Sequence, residues 1–136
     1  MITREADYAI RIVLALARHT DSAPMPAGAV SAEMDIPYRF VRKIAGRLVR
    51  AGLVRGLRGR AGGLRLARRP AAISLLDVLA AVDASSVTLN ICLLDPRACR
   101  RAGLCEIHPH FAAMQGELER RLAAVSFAQL ASPGMR

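Results

Sequence analysis

Apolar residues recur every three to four positions between Thr3 and His19, with Ala6, Ile10, Val13, Leu14 and Ala17 on one broad stripe. That spacing predicts an amphipathic helix, and Glu5 and Asp7 fall in its first turn, where the helix dipole favours negative charge. Two prolines make the stretch from Asp21 to Pro26 a loop. Ala27 to Met34 then reads as a short helix and Asp35-Ile36-Pro37 as a turn. Pro37 suits the start of a longer helix with Phe40, Val41, Ile44, Leu48 and Val49 on its apolar face and Gly52 as its C-terminal cap. Leu53-Val54-Arg55 and Leu64-Arg65-Leu66 alternate like two short strands, joined by a glycine-rich basic tip from Gly56 to Gly63. Beyond Pro70, Ser74-Leu75-Leu76-Asp77 forms a capping box that opens a helix running to about Val82. The period then fades from Ala84 to His108. It returns after Pro109, where Phe111, Met114, Leu118, Leu122 and Val125 recur at three- and four-residue steps and predict a long amphipathic helix.

These elements imply a mostly α fold: a winged helix-turn-helix head with a short β-hairpin wing, followed by a long C-terminal helix. Two short helices joined by a tight turn, the second with a basic outer face, are a helix-turn-helix candidate whose second helix enters the major groove. The basic hairpin beside it is the wing. The expected organisation is a DNA-binding domain at 1–83, a cysteine-containing loop at 84–108, and a dimerisation helix with its tail at 109–136. A head of this size already has its own core, so the terminal helix is expected to pair with the same helix of a second subunit. Folding back onto its own head is the alternative.

Charge sharpens this picture. Of 20 basic residues, eleven lie between Ile36 and Leu76, where there is not one Asp or Glu; the remaining 95 residues hold nine basic and eleven acidic side chains. A one-sign segment is the electrostatic footprint of a polyanion site. Its DNA-facing candidates are Arg39, Arg42, Lys43 and Arg47 on the second helix, with Arg58 and Arg60 at the hairpin tip. The preponderance of arginine, 19 against one lysine, fits a G+C-rich coding sequence, but codon bias does not remove acids. A basic RNA- or ribosome-associated protein would share the basic segment and need no dimer. The hairpin tip lacks the lysine and the strand-to-helix context of a nucleotide phosphate loop. No paired carboxylates or nucleophile–base arrangement points to an enzyme. With 53% apolar residues in a chain of 136, the protein has material for one core. No uncharged apolar run approaches the roughly 18 residues of a membrane span. Glu5 and Asp7 precede the first apolar stretch without a basic leader, so no signal peptide is expected and the expected location is cytoplasmic.

The three cysteines, Cys92, Cys99 and Cys105, lie within fourteen residues and are separated by six and five. An odd count is a poor basis for a disulfide framework. Thiolates gathered by one loop are soft ligands for zinc, copper(I) or an iron–sulfur cluster, and Arg97, Arg100 and Arg101 would favour the thiolate form. A fourth ligand is then needed. His108, three residues after Cys105, is the nearest candidate, with Glu106, His110, a carboxylate from a second subunit or an exogenous thiol as others. A thiol switch, a structural zinc site or an incidental grouping remains open on spacing alone. His19 is expected to cap the first helix, Met114 to pack, and Tyr8 and Phe111 to serve the core or a dimer contact.

Four stretches together resemble the Rrf-type family of winged-helix bacterial regulators that includes IscR, NsrR and RirA. They are Arg4-Glu5-Ala6-Asp7-Tyr8-Ala9-Ile10-Arg11; the helix from Phe40-Val41-Arg42-Lys43-Ile44 to Ala51-Gly52-Leu53-Val54; the wing Arg58-Gly59-Arg60-Ala61-Gly62-Gly63 with Leu66-Ala67-Arg68; and the three-cysteine loop. The resemblance implies a homodimeric regulator, read here as a repressor, that binds a pseudo-palindromic DNA operator. It also implies an iron–sulfur cluster, [2Fe–2S] or [4Fe–4S], that senses iron, nitric oxide or redox state, with zinc or no metal as the alternative. By position, Cys92, Cys99 and Cys105 match the cluster cysteines and His108 the histidine of the IscR branch. Asp7 matches the aspartate that reaches across from the other subunit in NsrR-like members. Arg58 matches the minor-groove arginine of the wing, while Arg39 and Arg42 stand where the family contacts base edges. Departures are the six-residue first cysteine gap, where five is common, Arg42 in place of an acidic residue in IscR, and Leu64 in place of a frequent wing tyrosine.

Overall fold

The structure, a computed structural model, describes residues 1–21 and 23–133. Helix α1 (Arg4–Arg18) begins where the Thr3 hydroxyl accepts from the Ala6 N–H, and buries Ala9, Ile12, Val13 and Leu16. A short α2 (Ala27–Met34) leads into α3 (Tyr38–Arg50) through a turn in which Asp35 adopts the left-handed conformation (φ 52°), one that Asp tolerates better than most residues. The Arg11 guanidinium donates to the Met34 carbonyl, tying that turn to α1. Helix α3 packs Val41, Ile44, Ala45 and Leu48 inward. Gly52 stops it at φ 74°, and the Leu53 N–H bonds back to the Leu48 carbonyl.

The wing is an antiparallel pair, β1 (Val54–Leu57) and β2 (Gly63–Leu66), in the register Val54↔Leu66, Arg55↔Arg65, Gly56↔Leu64. Met25 adds a third extended residue, exchanging N–H and carbonyl bonds with Leu64 at 2.9 and 2.7 Å. The hairpin expected from the pattern is therefore braced on the β2 side. Helix α4 (Leu75–Val82) opens on the predicted capping box, with Ser74 and Asp77 each accepting from the other's backbone N–H. Residues 84–108 contain two single 3-10 turns and the one-turn helix α5 (Ile91–Leu94).

The C-terminal region differs from the single long helix that its apolar period suggests. Helix α6 (His108–Ala124) breaks at Val125, and Ser126 and Gln129 form a second capping box that starts α7 (Phe127–Ala131). Main-chain bonds join Leu75 N–H to the Val125 carbonyl and Phe127 N–H to the Ile73 carbonyl. Phe127 is fully buried in the same core as α1, α3 and α4, so the tail after α6 returns to the head.

Candidate DNA interface and cysteine loop

Burial of its apolar stripe turns the other face of α3 outward. Tyr38, Arg39, Arg42 and Lys43 are exposed there, and the Arg39 guanidinium lies over the Phe40 ring at 5.0 Å, which rests the charged end of that side chain against the neighbouring aromatic ring. Phe40 is itself held by Tyr8 of α1, with ring centroids 5.6 Å apart. Tyr38, Arg42 and Arg58 line one open cleft of about 540 Å³ between the start of α3 and the wing. Arg60 is exposed at the wing tip and does not line that cleft. The wing register sets Arg55 directly opposite Arg65 on the hairpin.

Two of the basic residues assigned to this face from sequence are held by the protein itself. The Lys43 ammonium donates to Glu5 Oε1 at 2.6 Å. Arg47 is half-buried and donates to Glu5 Oε2 at 2.8 Å and to the Val82 carbonyl at 3.2 Å. The hydrogen bond from Lys43, and then the charges of Lys43 and Arg47, hold the Glu5 carboxyl below its ordinary value. Glu5 is thus a bracket between α1 and α3, a role that its place in the first turn of α1 did not reveal.

The cysteine loop starts from a firm base. Asp83 accepts from the Ser85 N–H and hydroxyl, and the hydroxyl bond chiefly lowers its pKa. The Gln115 side chain accepts from the Leu89 N–H and donates to the Val87 carbonyl, both at 2.9 Å. It also donates to Glu119 at 2.8 Å. Gln115 was not among the residues singled out from sequence. Its signal is a polar side chain on the inward stripe of α6, four residues after Phe111 and three before Leu118.

Cys92 on α5 is buried, Cys99 and Cys105 are half-buried, and all three are free thiols. His108 is the first residue of α6, and its Nδ1 is buried without a hydrogen-bond partner. Three thiols and an unpartnered imidazole nitrogen are a chemically fitting donor set for an iron–sulfur cluster or zinc. Among the described residues, however, no three or more His, Cys, Asp or Glu side chains stand close enough together to hold a metal ion. Of the other candidates, Glu106 and His110 are exposed, and Asp7 forms an ion pair with Arg11 at 2.7 Å on α1. His19 caps α1 through its backbone N–H, while its ring pairs with Glu33 at 3.2 Å. Met114 is half exposed instead of packed.

A helix-turn-helix with a cation-bearing second helix, flanked by an arginine-tipped wing, defines a winged-helix DNA-binding protein. The chain belongs to the Rrf2 family, described as iron-dependent transcriptional regulators, which matches residues 2–133. It is 30% identical over 129 residues to the ORF2 protein of Azotobacter vinelandii, covering 95% of this chain and 77% of that one. It is 31% identical over 105 residues to the HTH-type transcriptional regulator IscR of Vibrio vulnificus, covering 77% of this chain but only 58% of that protein. The fold matches B. subtilis CymR, a global cysteine regulator, with TM-score 0.77 at 20% identity over 96% of this chain and 95% of that one. It also matches T. potens IscR, with TM-score 0.75 at 18% identity over 100% and 91%. The family is one of transcriptional regulators, not enzymes. Among the described residues no helix is long and apolar enough to cross a membrane.

Proposed function

We propose that the chain is a dimeric repressor whose grip on a pseudo-palindromic operator depends on an iron–sulfur cluster carried by its cysteine loop. One observation carries this reading: a single loop bears three free thiols, runs into the buried and unpartnered His108 Nδ1, and connects the basic head to α6. Cys92, Cys99 and Cys105 would hold the cluster, with His108 as the fourth ligand and Asp7 of a second copy as its rival. The loop would have to close to bring these donors together. A bound cluster would supply chemistry that responds to iron, nitric oxide or oxidants. On the DNA side, Arg39 and Arg42 would approach base edges in the major groove, Arg58 the minor groove, and Lys43 and Arg60 the phosphates. Arg47, turned to Glu5 and Val82, serves that interface by seating α3.

A homodimer is favoured by the exposed Leu89, Ile91, Leu94, Leu104, Ile107 and Met114, all on the loop and α6. A DNA-binding role puts the protein's work in the cytoplasm. The partial exposure of Cys99 and Cys105 favours a second reading, the same DNA-binding fold governed by a thiol switch or by zinc.

An anaerobic visible spectrum of freshly purified protein, with iron, acid-labile sulfide and zinc assayed on the same sample, separates the two. The expected result is a brown protein with matching iron and sulfide, its colour lost on Cys→Ala change at position 92, 99 or 105. A colourless protein that also fails anaerobic reconstitution removes the cluster and leaves the zinc or thiol switch.

A further inference from the structure

The stretch between α4 and the first cysteine is held by a different helix at each end. At its start, the Val82 carbonyl, the last of α4, accepts from Arg47 of α3. At its far end, the Val87 carbonyl and Leu89 N–H are both bound by Gln115 of α6, three residues before Cys92. One amide side chain here pairs with two main-chain groups as a neighbouring strand would. Between the two grips the chain is stiff. The Ser86 N–H and hydroxyl both bond to the Asp83 carbonyl, the Thr88 N–H bonds to the Ser85 carbonyl, and the Thr88 hydroxyl bonds to the Ala84 carbonyl. Ser86 and Val87 are buried, and Val87 packs with Ala6 and Leu79.

A stiff link fixed at both ends passes displacement from one end to the other instead of absorbing it. We propose that Arg47 and Gln115 are positioning residues at the two ends of an 82–89 strut, through which the arrangement of the cysteine loop sets the seating of the recognition helix α3. The inference rests on the reading above that the loop is the sensing element. It adds the route: loop and α6, then Gln115, the strut, Arg47 and α3. Glu5 holds both Arg47 and Lys43, so a shift of Arg47 also alters the hold on a cation of the exposed face.

The test is residue-level amide hydrogen exchange on the full-length, metal-free protein. Gln115→Met keeps side-chain volume and removes both bonds to the strut. It is expected to speed exchange of the Leu89 amide about tenfold, as befits loss of a buried hydrogen bond. It is also expected to speed exchange in the last turn of α3, which Gln115 does not touch, with the α1 core unchanged. Arg47→Lys keeps the charge for Glu5 but gives up the guanidinium fork, and should reciprocally speed exchange at Val87 to Leu89. Effects confined to the mutated side in both variants would overturn the proposal. So would a uniform rise that includes the α1 core, since that signals general destabilisation. Because no metal is present, the result stands apart from the colour test, and either reading can fail without the other.

Discussion

At Gly63 the backbone turns through φ 152°, and a methyl carbon added there would lie 2.4 Å from the Met25 carbonyl oxygen. Both the conformation and the space call for glycine, because β2 and the chain at Met25 approach main chain to main chain. Gly63→Ala should lower stability by about 1–3 kcal/mol, read as a fall in the urea midpoint. An unchanged midpoint would mean that the Met25 brace yields freely. Arg58 shares the cleft between wing and α3 with Arg42, and Arg58→Ala should weaken binding to an operator selected from random sequence. If it meets one phosphate-lined groove, the slope of log K against log salt should become shallower by about one. Equal affinity and slope would take the wing out of the interface. Glu5 makes a pH prediction. Its carboxyl is held below the ordinary value of 4.5, chiefly by the Lys43 hydrogen bond, so its bracket stabilises the fold above that value and is lost as pH falls through the lowered folded-state pKa. Glu5→Gln should flatten the acid limb of stability measured from pH 6 to 3. An acid limb identical to wild type would show that the bracket contributes nothing to stability.

Among the elements, α7 is five residues long, yet Phe127 is fully buried and its N–H bonds to the Ile73 carbonyl. Phe127→Ala should cost about 3–5 kcal/mol in chemical denaturation, the range for emptying an aromatic site in a core. A loss well under 1 kcal/mol would mean that α7 is only laid against the head. The head helices were legible in the sequence because each carries its own local signals: Thr3 and Ser74 as caps, Gly52 as a stop, and apolar stripes of helical period. The strand pair was legible through alternation and glycine. Met25 was not, since one bridging residue between two prolines has no period to read. The break at Val125 was hidden by Phe111, Leu118 and Leu122, whose rhythm Val125 continues, although Ser126 and Gln129 carried the capping signal that overrides it. At the site, exposed cations and cysteines could be chosen by type and spacing. The bracing roles of Glu5, Arg47 and Gln115 could not, because their partners lie 26 to 42 residues away in the chain.

For the molecule as a whole, exposed apolar side chains occur at the chain start (Met1, Ile2), on α3 and the wing (Tyr38, Val49, Leu57) and, as the one set free of the DNA-facing cations, on the cysteine loop and α6 from Leu89 to Met114. Self-association through that last set leaves the cations of α3 and the wing free for DNA. Ile107 is 56% exposed just ahead of α6, so its side chain contributes little to the core. Ile107→Asp should therefore keep the fold and weaken self-association by about tenfold or more, seen as monomers in sedimentation velocity. A dimer of unaltered strength would move the interface elsewhere. Helix α6 itself is fastened to the rest of the chain twice, by Gln115 along its length and by the main-chain bonds of Val125 and Phe127 just past its end. Between those fastenings the residue count acts as an angular setting. Inserting one residue would rotate one fastening relative to the other by about 100°, so the ten steps from Gln115 to Val125 fix which face of α6 meets the head.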